Sequence, residues 1–180
     1  MKGSTRMRGT GWQKTWIRVL TTLLTGALMI MIFCFSTENA IQSDQRSGVI
    51  SIAIIRIIQP EYQKMDAETQ KTVYDEIQHA VRKSAHFTEY MMLGFMIRLC
   101  LESWFGSVSR RKCRLGMIGV GAGTAYACTD EAHQMWVEGR MGTWSDVLVD
   151  AGGVISGVIL GTILIRYTER RSVSKQSQGV

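Results

Sequence analysis

Apolar residues fall into four blocks along the chain, and each block has the length or the surroundings of a helix that leaves water. The first, Val19 to Phe35, is 17 residues without a charge, behind Lys2, Arg6, Arg8, Lys14 and Arg18 and the interface-suited Trp12 and Trp16. At a rise of about 1.5 Å per residue it reaches about 26 Å, the lower edge for crossing a bilayer. Its exit, Phe35-Ser36-Thr37-Glu38-Asn39-Ala40, offers no small-x-small cleavage site, so an uncleaved helix is expected rather than a signal peptide. The last block, Val147 to Ile165, is 19 residues with Asp150 as its one charge and Trp144 and Tyr167 as aromatic anchors. Between them lie Ser84 to Leu101, interrupted by His86, Glu89 and Arg98, and the charge-free Leu115 to Thr129. The latter has 15 residues. These reach only about 22 Å against a hydrocarbon layer of about 30 Å. To cross, it must continue through Asp130, Glu131 and Gln134 to Trp136 or Val137, and the second helix must run from Lys83 to Glu102. The pattern therefore predicts an all-α, polytopic membrane helix bundle with four transmembrane helices at about 17–35, 83–102, 115–137 and 146–166.

Between the first two spans, Val49 to Ile58 is apolar apart from Ser51 and Arg56 and too short to cross. It reads as an outer interfacial helix ended by Pro60. Asp66 is then an expected N-cap for a helix whose Val73, Ile77, Ala80 and Val81 fall at helical spacing and which runs on into the second span.

The chain has 21 Lys+Arg against 15 Asp+Glu, a balance that fits either nucleic acid or a membrane surface. Distribution decides between them. The bases crowd three segments: the arm at 1–15, the connection holding Arg110, Arg111, Lys112 and Arg114, and the tail at 168–180 with Arg166, Arg170, Arg171 and Lys175 around it. The connection from Asp130 to Asp146 holds one base, Arg140, with four acids. Lys and Arg resist translocation, so both termini are expected inside, with a basic cytoplasmic arm, a membrane domain at 16–167 and a cytoplasmic tail. Topology and anionic lipid account for the basic runs, and no nucleic-acid partner is expected. The mean hydropathy of +0.03 is then four apolar spans offset by charged ends. Of the cysteines, Cys34 and Cys128 could pair at the outer surface, but buried free thiols are expected, Cys100 lying in a span and Cys113 inside.

Helices in lipid associate through small residues that let backbones approach. The fourth span carries Gly153-x-x-x-Gly157-x-x-x-Gly161, and the third carries Gly119-x-x-x-Gly123 followed by Ala127. Extended outward, these faces reach Asp146 and Asp150 on one helix and Asp130, Glu131 and Gln134 on the other. On the second span Lys83, His86 and Tyr90 share a side with Leu93 and Ile97, and Glu89 lies at its edge. Lys83, His86, Tyr90, Asp130, Glu131, Gln134, Arg140, Asp146 and Asp150 are thus the candidate ligand-binding residues. Two readings stand side by side. One is a plug in which Lys83 and a protonated His86 neutralise the acids. The other is a site, because ionisable groups at membrane depth are costly and usually functional.

Lys83-Ser-Ala-His86-Phe-Thr-Glu89-Tyr90, Thr129-Asp130-Glu131-Ala-His-Gln134, Gly139-Arg140 and Asp146 opening the last span form an ordered set of separated motifs. In this the chain resembles the VanZ-like family of small bacterial membrane proteins, over about Trp16 to Tyr167. Phe35-Ser36-Thr37-Glu38, with Ser43 and Ser47 beyond, is similar to that family's Phe-Ser-Ser-Gln stretch. Glu138 stands where the family has proline and Glu38 where it has glutamine. The first change removes the ring that fixes φ ahead of Arg140. The resemblance implies a multi-pass protein of the bacterial cytoplasmic membrane linked to the cell envelope. The family is named for a member associated with resistance to the glycopeptide teicoplanin.

Chemically, Lys83 and Arg140 suit phosphate or carboxylate, while the acids and Gln134 accept hydroxyls and amides, so an envelope lipid or glycopeptide-related ligand is one expectation. An enzyme acting on a lipid-linked envelope precursor is the alternative. In it His86, Asp130, Glu131 or Asp146 would serve as general base, with no nucleophile motif or phosphate loop in support. His86-x-x-Glu89 and Asp130-Glu131-x-His133 have a metal-like spacing, but His133 points away from the Gln134 side, toward head groups, and neither metal nor cofactor is expected. A proton-coupled transporter would need a dimer, and a homo-oligomer stays open. The bilayer is the one partner common to all these readings.

Overall fold

Asp66 opens the longest helix of the chain: its carboxylate accepts from the backbone N–H groups of Glu68 at 3.1 Å and Thr69 at 3.0 Å. No glycine or proline follows until Gly94, so the helix begun by this cap runs unbroken from Ala67 to Phe105. The computed structural model describes residues 14–38, 40–106, 112–137 and 143–177, with the backbone alone at 40, 41, 173 and 175–177. Its helices, in order, are α1 Thr15–Ser36, α2 Ala40–Ile58, a short 3-10 turn Tyr62–Lys64, α3 Ala67–Phe105, α4 Lys112–Gln134 and α5 Trp144–Ser177. The chain is all-α among the described residues. Two of these helices, over Thr15–Ser36 and Trp144–Ser172, are long and apolar enough to cross a membrane.

α3 is the centre, with α5, α1, α4 and α2 packed around it. Its closest partner is α5, and the glycines explain how the two backbones meet. A Cβ on Gly157 would lie 2.6 Å from the Phe95 backbone nitrogen, and one on Gly153 would lie 3.1 Å from that of Met91. From the other side, a Cβ on Gly94 would lie 2.9 Å from Val154 Cα. The Gly153-Gly157-Gly161 face expected from spacing is therefore an α3-facing seam. α4 joins the same centre through Gly123 against Val154 and Ala127 in the core with Ile32, Tyr90, Leu93, Val154 and Val158. α1 is tied in by hydrogen bonds: the Tyr126 hydroxyl donates to the Met29 carbonyl at 2.6 Å, and Trp104 Nε1 donates to Thr22 Oγ1 at 3.1 Å. Leu23, Ile30, Met117, Leu148 and Ile163 point away from this core into the surroundings of the bundle.

The helices differ from the expected spans in extent. The segment read as a short helix at Val49–Ile58 is the second half of α2, which begins at Ala40 because nothing between Ala40 and Gly48 breaks a helix. Its polar half holds α3: Gln78 Nε2 donates to Ser47 Oγ at 2.7 Å and to the Asp44 carbonyl at 3.2 Å, Ser51 donates to Gln78 Oε1, and Arg82 pairs with Asp44 at 3.5 Å. α4 starts at Lys112 and ends at Gln134, three residues short of Val137, where Trp136 and Val137 donate to His133 and Gln134 in tight turns. α5 continues beyond Arg166 to Ser177, with Glu169 pairing to Lys112 at the start of α4. All four cysteines are free, and Cys34, Cys113 and Cys128 lie exposed on the bundle surface rather than buried.

Candidate functional site

At the end of the bundle where α4 stops and α5 starts, the chain gathers its acids. Thr143, just ahead of α5, sets the geometry. Its carbonyl accepts from Asp146 N at 3.0 Å, its hydroxyl donates to Asp146 Oδ2 at 2.8 Å, and its own N–H donates to Glu131 Oε2 at 3.3 Å. A first-turn aspartate here complements the positive end of the helix dipole. These contacts tie the start of α5 to the end of α4, and one turn further in, Asp150 faces α3.

Asp150 is fully buried, and neither of its carboxylate oxygens accepts a hydrogen bond. His86 Nδ1 stands 3.9 Å from Asp150 Oδ1, an ion-pair distance when the imidazole is protonated and too long for a hydrogen bond. The buried Tyr90 hydroxyl faces Asp130 and Asp150. Asp130, Glu131 and Gln134 are each less than a tenth exposed, and Gln134 Nε2 donates to Asp130 Oδ2 at 3.3 Å. At the rim Lys83 Nζ reaches Asp146 Oδ1 at 3.4 Å, both side chains about a third exposed. Lys83, His86, Tyr90, Asp130, Glu131, Gln134, Asp146 and Asp150 are thus brought together by α3, α4 and α5. Arg140, with Glu138 and Gly139, lies outside the described residues. Glu89, one helical turn from His86, lines a small cavity with Ser36, Glu38 and Arg46. The His133 ring lies against Phe33 of α1, 4.9 Å between centroids and tilted by 31°. Among the described residues no three metal-capable side chains converge.

With Lys83 engaged at the rim, the interior of the cluster is rich in acceptors and poor in donors. Buried carboxylate oxygens without partners are costly to maintain, so the arrangement suits a ligand that brings N–H or O–H groups.

A second polar cluster went unread in the sequence beyond an interruption at Arg98. Arg98 and Glu102 are fully buried in α3 and pair at 2.9 Å through Nη1 and Oε2, and Arg98 Nε donates to Thr162 Oγ1 of α5 at 3.0 Å. The i, i+4 spacing of opposite charges inside an apolar run was the available signal. Nearby, Arg18 Nε donates to the Ser103 carbonyl at 3.0 Å, which pins the start of α1 to the end of α3.

A family model described as VanZ/LLP1 matches residues 21–165, a stretch that runs from α1 into α5 and contains every candidate named above. No curated protein and no solved structure matches the chain.

Proposed function

The chain belongs to the VanZ/LLP1 family, and from that premise we propose that it is a multi-pass protein of the bacterial cytoplasmic membrane whose acidic end binds an envelope-related ligand and contributes to glycopeptide (teicoplanin) resistance. In this reading four helices cross, both termini lie inside, and the Lys83–Asp150 end faces outward. The observation that carries it is Asp150. A carboxylate with full burial and no hydrogen bond to either oxygen costs the fold several kcal/mol unless something else answers it, and ligand N–H or O–H groups are the answer the geometry fits. Asp130, Glu131 and Gln134 supply further acceptors, and Tyr90 and His86 orient the bound group.

Asp150→Asn tests the reading, since it keeps shape and removes charge. Normal protein level with loss of glycopeptide resistance in the host is the expected result. Wild-type resistance from Asp150→Asn, or loss of the protein itself, would turn the cluster into a structural feature.

The approach of His86 to Asp150 supports a second reading, a membrane-embedded enzyme in which this pair serves as general base toward a lipid-linked envelope precursor. Incubation of purified protein with such a precursor then yields a new product. No product across a range of pH and divalent metals removes that alternative. The third reading, a salt-bridged plug, draws on Lys83–Asp146. It requires that Lys83→Met combined with Asp146→Leu leave resistance intact, whereas the ligand-binding reading expects it to fall.

A further inference from the structure

Away from the acid cluster, α2 and the first turns of α3 are joined by the connection Gln59 to Met65, and a cleft of about 620 Å³ opens beside this joint, a size common among small-ligand sites. Ile52, Ile55, Arg56 and Gln59 stand at i, i+3, i+4 and i+7, so one face of α2 forms its wall. Tyr74 faces it from α3, and the connection contributes Tyr62 and Gln63. The joint is stiff. The Tyr62 backbone N–H donates to the Gln59 carbonyl at 3.0 Å, the Tyr62 hydroxyl to the Gln70 carbonyl at 3.1 Å, and Gln70 Nε2 to the Met65 carbonyl at 2.9 Å. A cleft held in this way loses little freedom when it is filled.

Its chemistry is selective. Arg56 is the one charged residue of the lining among the described residues. The side chain is exposed and makes no ion pair there, whereas Glu61, the acid of the connection, is engaged by Lys64 at 2.7 Å. A single planar guanidinium suits a carboxylate monoanion, which it holds through two parallel N–H donors. A phosphate monoester, close to doubly charged, calls for more cations than this lining holds. Beside Arg56, Gln59 and Gln63 each offer an amide that donates and accepts, as a peptide bond does, and Ile55 with the two tyrosine rings gives apolar surface for a small side chain. Length agrees. From Ile52 to Gln59 the wall measures about 10 Å, and three residues of extended peptide span about 10 Å.

Height separates this cleft from lipid. In the four-span arrangement proposed above, Lys83 marks the outer edge of the hydrocarbon. Tyr74 stands nine residues before it, about 14 Å further out along α3, while the head-group layer extends only about 5–8 Å. We infer that the cleft binds the C-terminal end of a short peptide in the aqueous space outside the membrane, with the carboxylate on Arg56 and the last amides on Gln59 and Gln63. The inference rests on the membrane reading only for the side that the cleft faces, and it shares no residue with the Asp150 cluster.

The test is equilibrium dialysis of the full chain, purified in a neutral detergent, against a pool of tripeptides of mixed sequence and a matching pool with amidated C-termini, read by mass spectrometry. Free acids should be retained at least about tenfold over amides, the scale of a charge-assisted hydrogen bond. Arg56→Gln should abolish that preference, and Arg56→Lys, which keeps the charge and loses the fork, should restore only part of it. Arg56 is exposed and outside any internal ion pair, so both variants should elute from a sizing column as the wild type does. Asp150→Asn should leave retention unchanged, so failure of this site and failure of the acid cluster are told apart. Equal retention of acids and amides, retention of neither pool, displacement of the acids by equimolar inorganic phosphate or alkyl phosphate, or an undiminished preference in Arg56→Gln would overturn the proposal.

Discussion

Arg98 and Glu102 show how differently a charge behaves when its partner is fixed. Both are wholly buried, and the guanidinium is held by Glu102 within its own helix and by Thr162 across the α3–α5 seam. Removing one member leaves an uncompensated buried charge, so Glu102→Ala is expected to cost about 3–5 kcal/mol in unfolding experiments on purified protein. Arg98→Met combined with Glu102→Leu replaces the pair by apolar volume, and its cost should fall well below the sum of the single changes. Asp66 is the contrasting case, exposed and outside the apolar segments. The Thr69 backbone N–H, the Thr69 hydroxyl and the Glu68 N–H hold its carboxyl below the usual aspartate range. A depressed folded-state pKa means that its stabilisation is present above the unfolded value and is lost as pH falls through the folded one. Asp66→Ala should therefore lower the Tm at neutral pH, and the gap from wild type should close on acidification.

Among the elements, the α3–α5 seam offers the sharpest contrast between glycines. Gly157→Ala would set a Cβ 2.6 Å from a backbone nitrogen of α3 and against the Met91 carbonyl, so the helices must part, and monodisperse protein should be largely lost. Gly119→Ala meets side chains at 3.5 Å, ordinary contact, and should be tolerated. Gly121 has nothing within 4 Å of a built Cβ, and Gly121→Ala should stabilise the protein by about 0.5–1 kcal/mol through helix propensity. The seam was legible because a repeat of four residues writes a helix face directly into the chain. So was the convergence of Lys83, His86, Asp130 and Asp150, which extends those faces by one or two turns. The polar half of α2 was not, since Ala40–Gly48 lacks apolar periodicity and is held by Gln78, a partner on α3 that is distant in sequence from Ser47 and Asp44. Ser36 and Glu38 were visible only as part of a motif, because their cavity exists where three helices close around it.

For the whole molecule, the distribution of bases and the lengths of the helices make one joint demand. α3 has 39 residues. Such a helix is about 58 Å long, nearly twice the hydrocarbon thickness, so in the proposed four-span arrangement one half of it stands clear of the bilayer. The proposed orientation, with both termini inside, expects reporter fusions at the N- and C-termini to signal from the cytoplasm and an insertion after Gln63 to signal from the opposite side. Opposite signals from the two termini would require an odd number of crossings and overturn the four-span arrangement.

The unbroken course of α3 from Asp66 to Phe105 also sets a rule for insertions and deletions. Residues that grip α2, such as Gln78, and residues of the acid cluster, such as His86, share one rigid screw, in which each residue turns the chain about 100°. Deleting a single residue between Gln78 and Lys83 would leave both groups intact and yet swing them out of phase. Inserting seven there, close to two full turns, would lengthen the rod by about 10 Å and restore the phase. Length changes in this stretch are thus permitted or forbidden by angle before they are judged by chemistry.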